Sequence, residues 1–190
     1  MTQTRTRAAL VALLLAGWAL PGPATTTGWA QAKPADAWEP VRFLVGEWEG
    51  TAEGQAGKGT VRRTYAFVLK DRYLHETNVS TYPPQPANKA GEVHEHWSFF
   101  SYDRARKALV LRQFHQEGFV NQYVLNPSEG APGRLVFTSE RFENFDNTWR
   151  ARETYEVRSP NEFVEIFELG APGQPLEVYS RNTFKRVKSR

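Results

Sequence analysis

The chain has 190 residues, of which 40% are hydrophobic and 24% charged, and its formal net charge is +3 at pH 7. It contains no cysteine, which excludes disulfide cross-links and thiolate chemistry, so the stability of the fold must come from a packed core. The length without the N-terminal segment is that of one domain. Apart from the two ends, basic and acidic residues are mixed along the chain, so no basic cluster indicates nucleic-acid binding.

The N-terminus has the pattern of a secretory signal peptide. A basic start with Arg5 and Arg7 precedes an apolar run over residues 8–20, and the small-residue site Ala30-Gln31-Ala32 follows. The apolar run is roughly 13 residues long, short of the ~20 that a membrane-spanning helix needs, which argues against a stable membrane span. The pattern therefore predicts a cleavable signal peptide over residues 1–32 and a secreted or periplasmic protein.

The remainder of the chain has the pattern of an all-β protein. Residues 33–42 are rich in proline and alanine and are predicted to form a linker, and residues 188–190 a basic tail. Residues 43–187 alternate short segments of β-strand character with turn residues at intervals of about 10–14 residues, which is typical of a barrel or sandwich. Short connections favour an up-and-down order, and closure removes exposed strand edges. We predict one single-domain antiparallel β-barrel of about ten strands.

The predicted strands follow one another with few long connections. They cover Glu47–Glu53, Gly59–Leu69, Tyr73–Thr81, Glu92–Tyr102, Lys107–Gln116, Phe119–Asn126, Arg134–Phe142, Thr148–Val157, Glu162–Leu169 and Leu176–Lys185.

The stretch Glu92–Leu125 predicts a three-stranded meander and holds three of the four histidines. With a four-residue loop at Asp103–Arg106, the register places His94 opposite His115. A two-residue turn at Glu117-Gly118 then defines the third strand. The face that carries these histidines mixes polar and apolar side chains, which indicates a sheet around a cavity of mixed character. Its members are His94, His96, Ser98, Phe100, Leu109, Leu111, Gln113, His115, Val120, Gln122 and Val124.

The first predicted strand opens with Gly46-Glu47-Trp48, which resembles the Gly-x-Trp signature of lipocalins and other calycin barrels. The resemblance implies that Gly46 permits a tight entry into the strand. It also implies that Trp48 plugs one end of the barrel. Both residues would then have structural roles.

Three segments resemble the nitrobindin-type haem-binding barrels and their bacterial relatives. They are Gly46-Glu47-Trp48-Glu49-Gly50, His94-Glu95-His96-Trp97-Ser98-Phe99 and Thr183-Phe184-Lys185-Arg186-Val187. The resemblance implies a ten-stranded barrel like the fatty-acid-binding proteins, with His94 and His115 facing the cavity. The family's haem-ligating histidine would fall at Arg181, and arginine has no lone pair to donate to iron. The resemblance thus supports a barrel with a pocket more than it supports haem.

The histidines are the residues to which chemistry is most readily assigned. Three imidazoles that converge from His94, His96 and His115 can hold a divalent metal such as zinc with an open fourth position, and one imidazole alone can ligate haem iron. In the alternative interpretation they are polar cavity residues without a metal. Arg181, on the last strand, is a candidate interior cation.

Together these observations predict an exported barrel that binds a small apolar or planar ligand, with a haem-like tetrapyrrole as the first candidate and a fatty-acid-like carboxylate as the second. No nucleophile elbow and no glycine-rich phosphate loop is present, which favours binding over catalysis. A metal-dependent enzyme that uses the three histidines, a cofactor-free isomerase and a filled barrel without a ligand are the alternatives. The ligand is expected to pack against Phe67, Phe100, Leu109, Leu111 and Val124, and to be oriented by His94, His96, Gln113, His115 and Arg181.

Overall fold

The structure, a computed structural model, describes residues 36–86 and 88–188. The predicted signal peptide and the last two residues of the predicted tail lie outside the described residues. The described part forms a closed antiparallel barrel of ten strands, in which each strand pairs with its neighbours in the sequence and the last pairs with the first. This confirms the predicted all-β fold class and the up-and-down order.

A 3₁₀ helix over Glu39–Leu44 precedes the barrel. The strands, numbered β1 to β10 in chain order, cover Gly46–Gly54, Gly57–Val68, Tyr73–Tyr82, Glu92–Asp103, Ala108–His115, Val120–Leu125, Arg134–Glu143, Arg150–Ser159, Glu162–Gly170 and Glu177–Arg186.

Successive side chains alternate between the inside and the outside of the barrel, as the geometry of a strand requires. In β3, for example, Leu74, Glu76, Asn78 and Ser80 are buried and the residues between them are more exposed. The inward-facing positions therefore carry charged and amide side chains as well as apolar ones. This mixture divides the interior into two ends.

One end of the barrel, here called the closed end, is filled by apolar and aromatic side chains. Trp48 lies 4.7 Å from Phe163, edge to face, and Phe163 stacks on Phe184 at 4.6 Å. The Trp48 indole N–H donates to the carbonyl oxygen of Leu44 at 2.6 Å, so its one polar atom is satisfied. The closed end is built from Trp48, Tyr65, Leu74, Phe100, Leu111, Tyr123, Phe137, Tyr155, Phe163 and Phe184.

The chain before the first strand contributes to this closed end. Leu44 of the 3₁₀ helix is fully buried, and so is Val41, although Val41 falls within the predicted linker. Arg186, at the end of β10, lies 4.1 Å above the ring of Trp48. Its guanidinium donates to the carbonyl oxygens of Phe43 and Val45, each at 2.6 Å. The last strand is thereby joined to the entry of the first.

Gly46 makes this arrangement possible. Its φ is +123°, a conformation that residues with a side chain rarely adopt. A Cβ atom at this position would lie 2.7 Å from Nη1 of Arg186. The backbone conformation therefore favours glycine here, and a larger residue would also displace the guanidinium of Arg186.

Candidate functional site

The opposite end of the barrel, here called the open end, holds a cavity of about 390 Å³. This volume lies near the lower end of the range of about 300–1,000 Å³ that is typical of small-molecule sites. Polar side chains line its deep part and aromatic side chains surround its mouth. The lining includes Ala56, Arg63, Asn78, Ser80, Tyr82, Glu92, His94, His96, Gln113, His115, Glu117, Phe119, Asn121, Phe142, Phe145, Glu153, Glu165, Phe167, Leu169, Tyr179, Ser180 and Asn182.

A buried arginine, Arg63 of β2, organises the polar floor of the cavity. Its guanidinium binds the carboxylate of Glu165 through two nitrogens, at 2.5 and 2.6 Å. Its Nε donates to Asn78 at 2.8 Å and lies 3.1 Å from Glu76. Arg63 is only 4% exposed, so this ion pair is almost fully removed from solvent. Such a pair is costly to break, because either partner alone would be a buried unpaired charge.

Glu76 is held ionised by this network. Burial alone would raise its pKa, but the positive charge of Arg63 and a hydrogen bond with His96 outweigh burial and lower the pKa to about 2. The carboxylate thus fixes both Arg63 and His96 in place.

Glu153 of β8 lies on the same floor without a cationic partner. It is 5% exposed, and the amide nitrogen of Gln113 donates to one of its oxygens over a long distance of 3.4 Å. Burial, reinforced by the charge of Glu165, raises the pKa of Glu153 well above its ordinary value. Its second oxygen has no hydrogen-bond partner. The raised pKa favours the neutral carboxylic acid form of this side chain, which can donate a proton in a hydrogen bond.

Three histidines converge on the wall beside this floor. His94 and His96 lie two residues apart on β4 and project inward, and His115 on β5 pairs directly with His96. The three ring centroids are separated by 5.2 to 5.6 Å. Burial and the neighbouring imidazoles lower the pKa of His115 to about 2, so this ring stays neutral.

Each of these histidines has a polar partner on the side away from the other two. His94 Nδ1 lies 3.0 Å from an oxygen of Glu117, and His96 Nε2 lies 3.0 Å from an oxygen of Glu76. His115 Nε2 lies 3.3 Å from the amide of Asn121. The rings are therefore fixed in orientation.

Four of the predicted ligand-binding residues line the cavity: His94, His96, Gln113 and His115. Phe100 and Leu111 also point inward, but they lie in the packed core of the closed end and do not line the cavity. The same is true of Leu109, and Phe67 packs against the core from its edge. The apolar residues that do line the cavity belong to the mouth, chiefly Phe119, Phe142 and Phe145.

The predicted register of the meander was wrong in two places. His115 pairs with His96 rather than His94, because β4 extends to Asp103 and the loop begins one residue later than predicted. This shift preserves the faces. The β5–β6 connection is one residue longer than predicted, which exchanges the inward and outward faces of the third strand of the meander. As a result Asn121 and Tyr123 face inward instead of Val120, Gln122 and Val124.

The predicted interior position of Arg181 was also wrong. Arg181 is exposed and does not line the cavity, since Asn182 and Phe184 are the inward-facing residues of this part of β10. The register of β10 with β9 shifts between Val178 and Ser180, just before this part of the strand. The interior cation is Arg63 instead.

Sequence reasoning missed the charged floor. The available signal was a charged residue at every second position among inward apolar residues: Arg63 lies between Val61 and Tyr65, and Glu165 between Phe163 and Phe167. Glu76 and Glu153 follow the same rule on β3 and β8. From sequence alone, such charged residues are predicted to face solvent, because the face they occupy is known only once the pairing of their strand with the adjacent strands is known.

The fold defines the class of this protein as a closed, ten-stranded, antiparallel β-barrel with a cavity at one end. Among solved structures, the crystal structure of Rv2717c from M. tuberculosis is similar to it, with a TM-score of 0.61 and 15% sequence identity. The match covers 81% of this chain and 99% of the other. This similarity shows the barrel fold. No protein-family model matches the sequence, and no curated protein matches it either.

Within residues 36–86 and 88–188, no helix combines the length and the apolar character needed to cross a membrane.

Proposed function

We propose that the barrel is a binding protein for a small molecule with a planar apolar body and a neutral or cationic polar head. The supporting observation is the composition of the open-end cavity, which has a hydrogen-bonding floor and an aromatic mouth. A ligand of this kind places its head among the floor residues and its body between the aromatic rings.

The floor has hydrogen-bonding capacity that the protein does not use. Glu153 Oε2 and Asn182 Oδ1 are buried atoms without a partner in the described part of the chain. Leaving such an atom unsatisfied costs about 1–3 kcal/mol. A ligand head that binds them recovers this free energy, which supports a polar head rather than a purely apolar ligand.

The charge of the cavity supports a neutral or cationic head. Arg63 is the one arginine or lysine among the described lining residues, and Glu165 already binds it with two hydrogen bonds. Glu92 and Glu117 add negative charge at the rim. In the cavity without a metal ion, a fatty-acid-like carboxylate would meet no free cation, which argues against the second of the ligands predicted from sequence.

The mouth supplies the apolar contacts. Phe119 stacks on His115 at 4.2 Å and lies 6.0 Å from Phe145, which in turn lies 5.8 Å from Phe142. Phe145 is 43% exposed, so part of this aromatic surface is available to a ligand. A planar body gains most from such a surface by stacking.

The test is a fluorescence titration of the full chain with proflavine, a planar cationic dye, and with 8-anilinonaphthalene-1-sulfonate, an anionic one. We expect saturable binding of proflavine and at least about tenfold weaker binding of the sulfonate, a difference of about 1.4 kcal/mol. Ser180→Trp, which fills the mouth, should abolish binding. Arg181→Trp is the matched control, because it lies next in sequence and faces outward.

Two outcomes would contradict the proposal. One is the absence of saturable binding of either dye to the unmodified chain. The other is binding that Ser180→Trp leaves unchanged. Haemin tests the tetrapyrrole alternative: a saturable Soret shift that His115→Ala removes would assign haem to the cavity instead.

We also propose that the protein is exported, on the strength of the N-terminal sequence pattern alone. N-terminal sequencing of the protein recovered from an exporting host should begin at Lys33. Recovery of the uncleaved chain from the cytoplasm would contradict export.

A further inference from the structure

We propose that His94, His96 and His115 form a binding site for one divalent metal ion of the zinc class, with an open coordination position that faces the cavity. The site shares the open-end cavity with the proposed ligand but does not depend on that ligand. Its failure and the failure of the proposed function can therefore be told apart.

The positions of the ring nitrogens carry the inference. One nitrogen from each ring lies within 4.8 Å of the other two. His94 Nε2 and His115 Nδ1 are 3.4 Å apart. Two imidazole nitrogens bound to one tetrahedral zinc at about 2.0–2.1 Å are about 3.3–3.4 Å apart, so this pair already has the required spacing. His96 offers the third nitrogen, and a shift of its ring toward the other two would complete a tetrahedral set.

The outer hydrogen bonds leave the correct lone pairs free. Glu117 accepts from Nδ1–H of His94, which leaves the Nε2 lone pair directed at His115. Glu76 accepts from Nε2–H of His96, which leaves the Nδ1 lone pair, a buried atom without any partner. A carboxylate behind a ligating imidazole fixes the tautomer and strengthens the ligand. Two of the three histidines have this arrangement.

Asn121 supplies the third outer contact. Its amide group lies 3.3 Å from His115 Nε2 and 3.0 Å from the Tyr123 hydroxyl. Amide oxygen and nitrogen positions are interchangeable by rotation of the group. With the oxygen in this position, Asn121 accepts from both the Tyr123 hydroxyl and the Nε2–H of His115. The Nδ1 lone pair of His115 then faces His94 and the metal.

The ligand set also selects the metal. Three imidazoles suit zinc, nickel, copper and cobalt, whereas magnesium and calcium prefer oxygen ligands. Three protein ligands leave a zinc ion with a fourth position for water or a ligand atom. Because all three histidines line the cavity, this position is accessible to a small molecule bound there.

The experiment uses the full chain, stripped with a chelator and titrated with Zn²⁺ by calorimetry. We expect one equivalent to bind, and Co²⁺ in its place to give the visible absorption bands of four-coordinate cobalt. His96→Ala and His115→Ala should remove this binding. Glu117→Gln should weaken it by about 10–100-fold, as expected for the loss of an outer carboxylate.

His75 provides the matched control. It is the remaining histidine of the chain, on the neighbouring strand β3, and it stacks on Phe99 at 4.6 Å rather than lining the cavity. His75→Ala should leave the affinity and the cobalt spectrum unchanged. Thermal unfolding without metal shows which variants are folded, and the more conservative His115→Gln replaces any alanine variant that is not.

The proposal is overturned if the chain binds no stoichiometric metal, or if His75→Ala reduces binding as much as His96→Ala does. It is also overturned if Glu117→Gln leaves the affinity unchanged and the cobalt complex is six-coordinate. Proflavine binding measured in the presence of chelator separates the two proposals. Retained dye binding with no metal binding would remove the metal site alone.

Discussion

The two ends of the barrel are built by the same strands and differ in what those strands turn inward. β9 contributes Phe163 to the packed aromatic cluster of the closed end and Glu165, two residues further on, to the charged floor of the open end. β2 does the same with Tyr65 and Arg63. A step of two residues along a strand moves about 6.6–6.8 Å along the barrel wall. Over that distance the inward-facing side chains change from the apolar core of the closed end to the polar floor of the cavity.

The comparison shows how stability and binding are separated within one sheet. The closed end excludes water and supplies apolar burial, so it can support a buried ion pair next to it at the open end. The open end carries unsatisfied buried polar atoms that line the cavity, among them Glu153 Oε2 and Asn182 Oδ1. Substitutions at the two ends should therefore affect different measurements.

The largest expected effect on stability comes from Phe163→Ala at the closed end. Phe163 is fully buried and contacts the rings of Trp48, Tyr155 and Phe184. The cavity left behind should reduce the free energy of unfolding by about 3–5 kcal/mol, measured by urea unfolding. Proflavine affinity of the folded fraction should be unchanged. A loss of affinity in the folded fraction would show that the two ends are not separable.

Arg63→Met removes the cation of the floor and should cost about 3 kcal/mol at neutral pH, because it leaves the buried carboxylates of Glu76 and Glu165 without the guanidinium that neutralises them. The pH dependence of the unfolding free energy tests the same ion pair. The pKa of Glu76 is lowered from 4.5 to about 2, so its contribution to stability is present above pH 4.5 and is lost as the pH falls toward 2.

The variant lacks this contribution, so the difference in unfolding free energy between the unmodified chain and Arg63→Met should shrink as the pH falls from about 5 to 2. Urea unfolding at a series of pH values measures it. A difference that stays constant over this range would contradict the ion-pair interpretation.

Glu153→Gln should raise the free energy of unfolding at pH 7. The folded state raises the pKa of Glu153, whereas the unfolded chain loses the proton near the ordinary value, so stability falls as the pH rises above about 4.5. Glutamine carries no such proton and avoids this loss. Thermal unfolding from pH 4 to 8 tests the trend, with the exposed Glu177→Gln as control. Equal gains in both variants would refute it.

The smallest effect on stability is expected for Phe145→Ala, at the mouth. Phe145 lies in the β7–β8 loop and is 43% exposed, so its loss should change the free energy of unfolding by no more than about 0.5 kcal/mol. Proflavine affinity should fall several-fold, because the dye loses a stacking surface. A large loss of stability with unchanged affinity would reverse the assignment of the two ends.

The sequence predicted the fold well because strand and turn patterns are local. All ten strands were predicted, with ends within two residues of those in the structure. The His94, His96 and His115 faces were also predicted, since the register error at the β4–β5 loop preserved the alternation.

The floor of the cavity was not predictable in the same way. Whether Arg63 faces inward depends on the alternation along β2, and whether Arg181 does depends on the alternation along β10. An irregularity such as the register shift between Val178 and Ser180 can change the facing of the residues beyond it. One extra residue in the turn before β6 exchanged the inward and outward faces of that strand relative to the prediction. The ion pair of Arg63 and Glu165 joins strands that are far apart in the sequence, so no local sequence pattern predicts it.

The seam between β1 and β10 has a consequence for how the chain reaches its native state. Trp48 pairs with Arg186, so the first strand has no partner on one side until the last strand is present. A chain that ends before Glu177 would keep two unpaired strand edges, which are templates for aggregation. Closure from opposite ends of the chain also gives a high contact order, which is typical of domains that fold in milliseconds to seconds. Synthesis of β10 is thus the step that completes the strand pairing of the closed sheet.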